Sequence, residues 1–359
     1  MLRKLLTGIA VLFVAVWGAL LLWPEGAYAP HQPSDEYRAR AADYLARNLT
    51  PMPENWQWDS FEATDGKLMR WGRARPEGDI RATVIFVPGY TGTLEMYADY
   101  HHEMLSRGYE VYGFDLRGQG GSARMLENPE KPWVADFGIY SDDVAGFTKM
   151  VRTQTAGPLL LIGESFGGHV VLRAAGDHEL PIDGLLLAVP AMRIQTPPLS
   201  YGAARFIVEA SRKLGFGKDY ALMQKNWQPY VTDLSQPNYC GDNIDRIHIK
   251  DTLYTARPEL RVGGTTNQFI SEMMESGERI SKPGYLQRLD MPVLLVTGDT
   301  DSIVQAEASK KACAAHIPDC DLLELENSGH CTISEPDATR AAMFDGVDAL
   351  LARAEAALQ

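Results

Sequence analysis

Leu159-Leu160-Leu161-Ile162-Gly163-Glu164-Ser165-Phe166-Gly167-Gly168 is an apolar run that ends in a glycine-flanked serine. Gly157-Pro158 precedes it and the helical run Val170 to Ala175 follows it. A short apolar segment bounded by turn residues reads as a buried strand. Strand, sharp turn and helix around Gly-x-Ser-x-Gly is the context that a nucleophile elbow demands. Such a turn holds the serine in a sparsely populated backbone conformation, and the small neighbours let adjacent backbone approach closely. Ser165 is therefore the candidate nucleophile.

A serine hydroxyl is a weak nucleophile near neutral pH, so it needs a base, and the base needs an orienting acid. With an elbow of this kind the chain order is serine, then acid, then histidine. Downstream, Val293-Leu294-Leu295-Val296-Thr297 runs into Gly298-Asp299-Thr300-Asp301, and a later loop carries Asn327-Ser328-Gly329-His330. Both follow predicted strands, where ligands bind in open α/β sheets. His330 is the candidate base. Asp301 is the candidate acid, with Asp299 as the alternative. The remaining histidines fall in helical segments, the linker or the central insertion and read as structural or surface groups. Developing negative charge on a substrate oxygen calls for two N–H donors. The amide of Phe166 is one candidate. The loop Pro88-Gly89-Tyr90-Thr91-Gly92 offers the other, Tyr90 first and Thr91 next.

Working outward, short β-rich runs recur at 82–87, 110–114, 185–189 and 321–325, with helical segments between them and a hairpin at 61–75 around Asp65-Gly66. Continuous apolar strands alternating with helices imply an α/β fold, a mostly parallel sheet covered on both faces. A helix over 336–358 closes the chain. Residues 191–285 break the rhythm. They carry helical segments rich in aromatics and methionine (Phe206, Phe216, Met223, Trp227, Phe269, Met273) and read as a helical cap inserted between a first core part, 51–190, and a second, 286–359.

Four motifs carry a family resemblance: the Pro88-Gly89 loop, Asp115-Leu116-Arg117-Gly118-Gln119-Gly120-Gly121-Ser122, the serine elbow and the Asp301/His330 pair. The chain resembles α/β-hydrolases of the monoacylglycerol lipase and bacterial lysophospholipase branch. Pro258-Glu259-Leu260-Arg261-Val262-Gly263-Gly264-Thr265, in the insertion, resembles the lysophospholipase side. The resemblance implies an eight-stranded α/β-hydrolase fold, a cap shielding an acyl pocket, and a serine hydrolase that cleaves a carboxylic ester of a lysophospholipid or monoacylglycerol. A broad short-chain carboxylesterase, an amide- or peptide-cleaving relative, and a noncatalytic binding protein on the same fold are the alternatives. Pro88 stands where the family usually has histidine, Glu164 where lipases often carry histidine, and Phe166 where methionine is common.

The chain has 359 residues, with 34 Lys and Arg against 47 Asp and Glu, a net charge of −13. That balance disfavours a phosphate backbone as partner, so no nucleic acid is expected. No cofactor or metal is implied. The four cysteines form no C-x-x-C pair. Cys313 and Cys320 flank a short connection and are candidates for a bridge in an exported domain; Cys331 reads as a small buried packer. At the N-terminus, Leu5 to Trp23 are 19 positions without a charge, preceded by Arg3 and Lys4. At about 1.5 Å per residue this run spans a bilayer core. It reads as an uncleaved anchor over 1–23, with a cleaved signal ending at Ala27-Tyr28-Ala29 as the alternative. The flanking charges then place the body outside the cytoplasm, membrane-anchored and periplasmic. Residues 24–50 read as a proline-marked linker and a helix capped by Ser34.

Overall fold

A computed structural model describes residues 27–241 and 243–358. The chain runs α1 (Asp35–Asn48), β1 (Gln57–Glu62), β2 (Leu68–Ala74), β3 (Ala82–Val87), α2 (Ala98–Ser106), β4 (Tyr109–Phe114), α3 (Gly138–Arg152), β5 (Leu159–Glu164), α4 (Phe166–Asp177) and β6 (Gly184–Ala188). The inserted segment holds α5 (Tyr201–Ser211), α6 (Ile249–Ala256) and α7 (Asn267–Ile280). Then follow β7 (Val293–Gly298), α8 (Ala306–Ala315), β8 (Cys320–Leu325) and α9 (Asp337–Ala357).

The strands form one eight-stranded sheet in the order β1-β2-β4-β3-β5-β6-β7-β8. Only the β1–β2 and β2–β4 pairings are antiparallel; β4 through β8 run parallel. Every residue of β3, β4, β5, β6 and β7 is buried, which is why these segments are continuous aliphatic and aromatic runs and not alternating ones. Helices α3, α4 and α8 cover one face through Phe147, Val171 and Ala312. Helices α2 and α9 cover the other through Tyr100, Met104, Phe344 and Leu350. Register aligns Val87 with Gly163, Glu164 with Ala188, and Gly298 with Leu325, so the loops leaving β3, β5, β6, β7 and β8 open at one rim.

In the insertion, α7 packs Met274 against Ala204 and Val208 of α5. Phe269 and Met273 join the core below, whereas Phe206 stands 74% exposed and Met223 79% exposed. Helix α1 caps on Ser34, whose Oγ accepts from Tyr37 N at 3.2 Å, and it packs on α6 through Tyr37, Ala41 and Tyr44.

Two expectations are corrected here. Cys331 is not a lone packer: it is disulfide-bonded to Cys240 of the insertion, alongside the Cys313–Cys320 bridge. The chain between positions 240 and 331 folds back so that the two meet, a contact no local pattern announces. The second concerns the membrane. Among the described residues no helix is long and apolar enough to cross a bilayer. The longest, α9, spaces Asp337, Arg340, Asp345, Asp348, Arg353 and Glu355 along its length, and charged side chains of this kind do not enter hydrocarbon without cost. The anchor read over 1–23 lies outside the described residues. A transmembrane helix, a membrane partner and a membrane-anchored periplasmic location are therefore not carried forward.

Candidate active site

Between β5 and α4 the chain reverses within one residue. Ser165 sits at φ 52°, ψ −114°, a conformation that costs a non-glycine residue about 1–3 kcal/mol. Three backbone bonds hold it there: Ser165 N donates to Ala188 O at 2.8 Å, and Ser165 O accepts from His169 N and Ala191 N at 2.9 Å each. The turn also needs room beneath it. A Cβ at Gly167 would stand 2.2 Å from Val87 O, so only glycine lets α4 start so close to β3.

The serine Oγ lies 2.7 Å from His330 Nε2, and His330 Nδ1 lies 2.7 Å from Asp301 Oδ2. The remaining carboxylate oxygen of Asp301 accepts from the amides of Ile303 at 2.8 Å and Val304 at 3.0 Å. Burial pushes this carboxyl up, but the imidazole and the two amides outweigh burial and hold it below the usual aspartate range. Asp299, two residues earlier, turns the other way and accepts from Ser328 N at 3.1 Å. It fixes the histidine loop, as does Glu335, whose Oε1 accepts from Gly329 N at 2.8 Å and Ser328 Oγ at 3.1 Å.

Of the two amides expected from the β3 loop, Thr91 N donates to Gln119 Oε1 at 2.7 Å. Gln119 Nε2 also donates to Gly89 O at 3.3 Å. The Asp115–Ser122 motif thus supports the loop from below, while its Arg117 is buried between Asp143 at 2.8 Å and Asp65 at 2.7 Å. The Tyr90 hydroxyl donates to Gly263 O at 2.9 Å, which ties the same loop to the inserted segment. Phe166 N is the first amide of α4, where helix-end N–H groups lack intrahelical partners.

Sequence reasoning passed over Glu164 as a functional group. It is buried beside Ser165, accepts from Tyr97 Oη at 2.5 Å and from Thr332 Oγ1 at 3.3 Å, and feels the field of His330. Burial dominates and raises its carboxyl above the usual glutamate range. The one available signal was its position next to the serine. His169 and His101, by contrast, are core residues: burial lowers them to about 4 and about 3, and His169 bonds to Ala191 O at 3.0 Å and Ser276 Oγ at 2.7 Å.

Ser165 and His330 open into a cavity of about 720 Å3, walled by Tyr90, Met223, Trp227, Tyr239 and Lys250 among others. A second hollow of about 900 Å3 between Arg47, Asp99 and Arg340 touches neither Ser165 nor His330. Among the described residues no group of three or more His, Cys, Asp or Glu is placed to hold a metal ion.

Residues 78–337 match the family described as serine aminopeptidase, S33. The chain is 24% identical over 326 residues to the lysophospholipase L2 of Escherichia coli K12, covering 88% of this chain and 94% of that protein. It is 23% identical over 295 residues to the monoglyceride lipase of Saccharomyces cerevisiae, covering 79% and 87%. Among solved structures, a soluble variant of the Saccharomyces cerevisiae monoglyceride lipase with a substrate analog superposes with a TM-score of 0.63 at 18% identity, covering 85% of this chain and 98% of that one. A carboxyl esterase from Bacillus coagulans superposes with a TM-score of 0.66 at 15% identity, covering 83% and 100%. By its sheet order and these relatives, the chain belongs to the serine aminopeptidase S33 family and is a carboxylic ester hydrolase of the α/β-hydrolase superfamily, on the monoacylglycerol lipase and lysophospholipase branch.

Proposed function

We propose that the chain hydrolyses a carboxylic ester of a lysophospholipid or monoacylglycerol through an acyl-enzyme on Ser165. The observation that carries this reading is the unbroken relay Ser165–His330–Asp301, with both links at 2.7 Å, at the mouth of a cavity whose lining includes the apolar side chains of Met223, Trp227, Val262 and Ile333. Ser165 Oγ attacks the acyl carbonyl while His330 Nε2 takes its proton. Asp301 accepts from Nδ1–H, which fixes the tautomer and balances the imidazolium that forms. The carbonyl oxygen, now anionic, meets the Tyr90 and Phe166 amides. His330 returns the proton to the departing alcohol oxygen. Water then gives a proton to His330 as its oxygen attacks the acyl-serine, and His330 passes that proton to Ser165 Oγ as the acyl–oxygen bond breaks and the fatty acid leaves. The names of the relatives, lysophospholipase and monoglyceride lipase, support the substrate class.

Fluorophosphonate labelling of the folded chain, followed by turnover of a lipid panel, tests the reading. The expected result is a label on Ser165, its loss in Ser165→Ala, and long-chain monoacyl substrates preferred. Ser165→Ala should lower kcat by about 10^4–10^6-fold. Labelling absent from the folded wild type, a sharp optimum at acetyl or butyryl esters, or turnover of aminoacyl amides in place of esters would each sink it.

A further inference from the structure

We infer that the Lys250–Tyr239 corner of the Ser165 cavity binds the phosphate of a lysophospholipid headgroup. The inference rests on the lipid-ester reading above and selects between its two substrates. Three charged side chains that line the cavity are already satisfied. Asp99 pairs with Arg340 at 2.7 Å, Arg246 with Asp337 at 2.5 Å, and Glu164 is held by Tyr97 and Thr332. Two cations are not. Lys250 donates to Tyr239 Oη at 2.6 Å and Lys225 to Gln228 Oε1 at 2.7 Å, and neither has a carboxylate partner among the described residues. Asp251, the nearest candidate by sequence, is engaged by Trp227 Nε1 at 3.1 Å and Tyr230 N at 2.7 Å. With Asp99 ion-paired to Arg340 and no carboxylate in salt-bridge contact with Lys250 or Lys225 among the described residues, these two ammoniums favour an anion in the cavity.

The corner is built as a receptor. Lys250 stands 4.9 Å from the Tyr239 ring centroid, and Tyr230 packs edge-on against Tyr239 at 5.0 Å. Because Lys250 donates to the phenol oxygen, the Tyr239 O–H remains available to donate to a bound oxyanion. Lys250 lies in the first turn of α6, so the helix dipole adds to its charge. Tyr239 is also held near the chemistry: it adjoins Cys240, whose bridge to Cys331 has a Cα–Cα distance of 5.1 Å, and Cys331 adjoins His330. Those three steps bound the Tyr239–His330 Cα separation at about 13 Å. In a lysophospholipid only the glycerol spacer separates the scissile ester from the phosphate, so an ester at Ser165 brings its phosphate to this corner. A monoacylglycerol has a hydroxyl there and leaves the lysine unmatched.

Binding of ether-linked analogues, which carry no ester, tests this independently of turnover. Full-length wild type, Lys250→Met and Lys250→Arg are titrated with ether-linked lysophosphatidylglycerol, with the matching ether monoacylglycerol and with inorganic phosphate. Wild type is expected to prefer the lysophospholipid analogue. Lys250→Met should reduce the ratio of the two affinities about tenfold, the scale of one charge-assisted contact, and Lys250→Arg should recover most of it. An unchanged ratio, an equal loss for both lipids, or inorganic phosphate binding as tightly as the lysophospholipid would overturn the assignment. A chain that shows the expected ratio yet cleaves no lipid ester would count against the ester-hydrolase reading and not against this one.

Discussion

At the level of single residues, strain and charge make opposite demands on the site. Ser165 keeps φ 52°, ψ −114° only because Ala188 and Ala191 pin its backbone. Glycine adopts that conformation freely, and alanine does not. Ser165→Gly should therefore unfold about 1 kcal/mol above Ser165→Ala, although both are inactive; equal unfolding midpoints in denaturant would show that the turn stores no strain. Asp301 and Glu164 titrate with opposite consequences. Asp301 is held below its usual range, so its stabilising contribution is complete above the unfolded-state value and fades as pH falls through the folded one. Asp301→Asn should lower kcat by about 10^4-fold at neutral pH with the fold retained, because the amide favours the wrong imidazole tautomer. Glu164 is held above its usual range, so its ionisation costs stability, absent in acid and complete once pH exceeds the folded-state value. Glu164→Gln should accordingly raise the melting temperature at neutral pH relative to wild type, with the gain shrinking on acidification. A gain that grows as pH falls would reverse the sign assigned to that carboxyl.

Among elements, what the sequence makes legible is what a local pattern can encode. Strands β3, β5, β6 and β7 are uninterrupted aliphatic runs because both faces of the sheet are covered. Their turn residues mark where the loops leave, so Ser165, His330 and Asp301, with Asp299 as its alternative, stand out in the sequence. The choice between the two aspartates was not local: it follows from the amides of Ile303 and Val304 receiving one carboxylate and Ser328 the other. The Cys240–Cys331 bridge was illegible for the same reason, since 91 residues separate its ends and only the folded insertion brings them together. The separation has an energetic consequence. Closing a loop of that length is worth about 4.5 kcal/mol in the chain-entropy account, against about 2.4 kcal/mol for the seven-residue Cys313–Cys320 loop. Cys240→Ser should thus destabilise the oxidised protein more than Cys313→Ser in urea unfolding, and it alone should lower turnover, because Cys331 adjoins His330.

For the molecule as a whole, the catalytic rim and the cavity wall are supported by different parts of the chain. The relay hangs on the ends of β5, β7 and β8. The wall depends on the N-terminal region: Tyr28 Oη donates to Glu130 Oε1 at 3.0 Å while Glu130 Oε2 accepts from Trp227 N at 2.5 Å. Arg261 Nη1 donates to His31 O at 2.8 Å, and Tyr44 Oη donates to Ile244 O at 2.7 Å. Helix α1 buries Tyr37, Ala41 and Tyr44 against α6, the helix that carries Lys250. Losing two buried tyrosines forfeits a few kcal/mol of burial, which for a domain of this size is roughly 5 °C in Tm. A chain beginning at residue 51 should melt earlier by about that amount. It should label with a fluorophosphonate at nearly the wild-type rate, since among the described residues no hydrogen bond or ion pair joins the relay to the deleted part, while KM for a lysophospholipid rises because Trp227 and α6 have lost their support. The opposite split, slow labelling with KM intact, would mean that the N-terminal region acts on the serine itself and that wall and relay form a single cooperative unit.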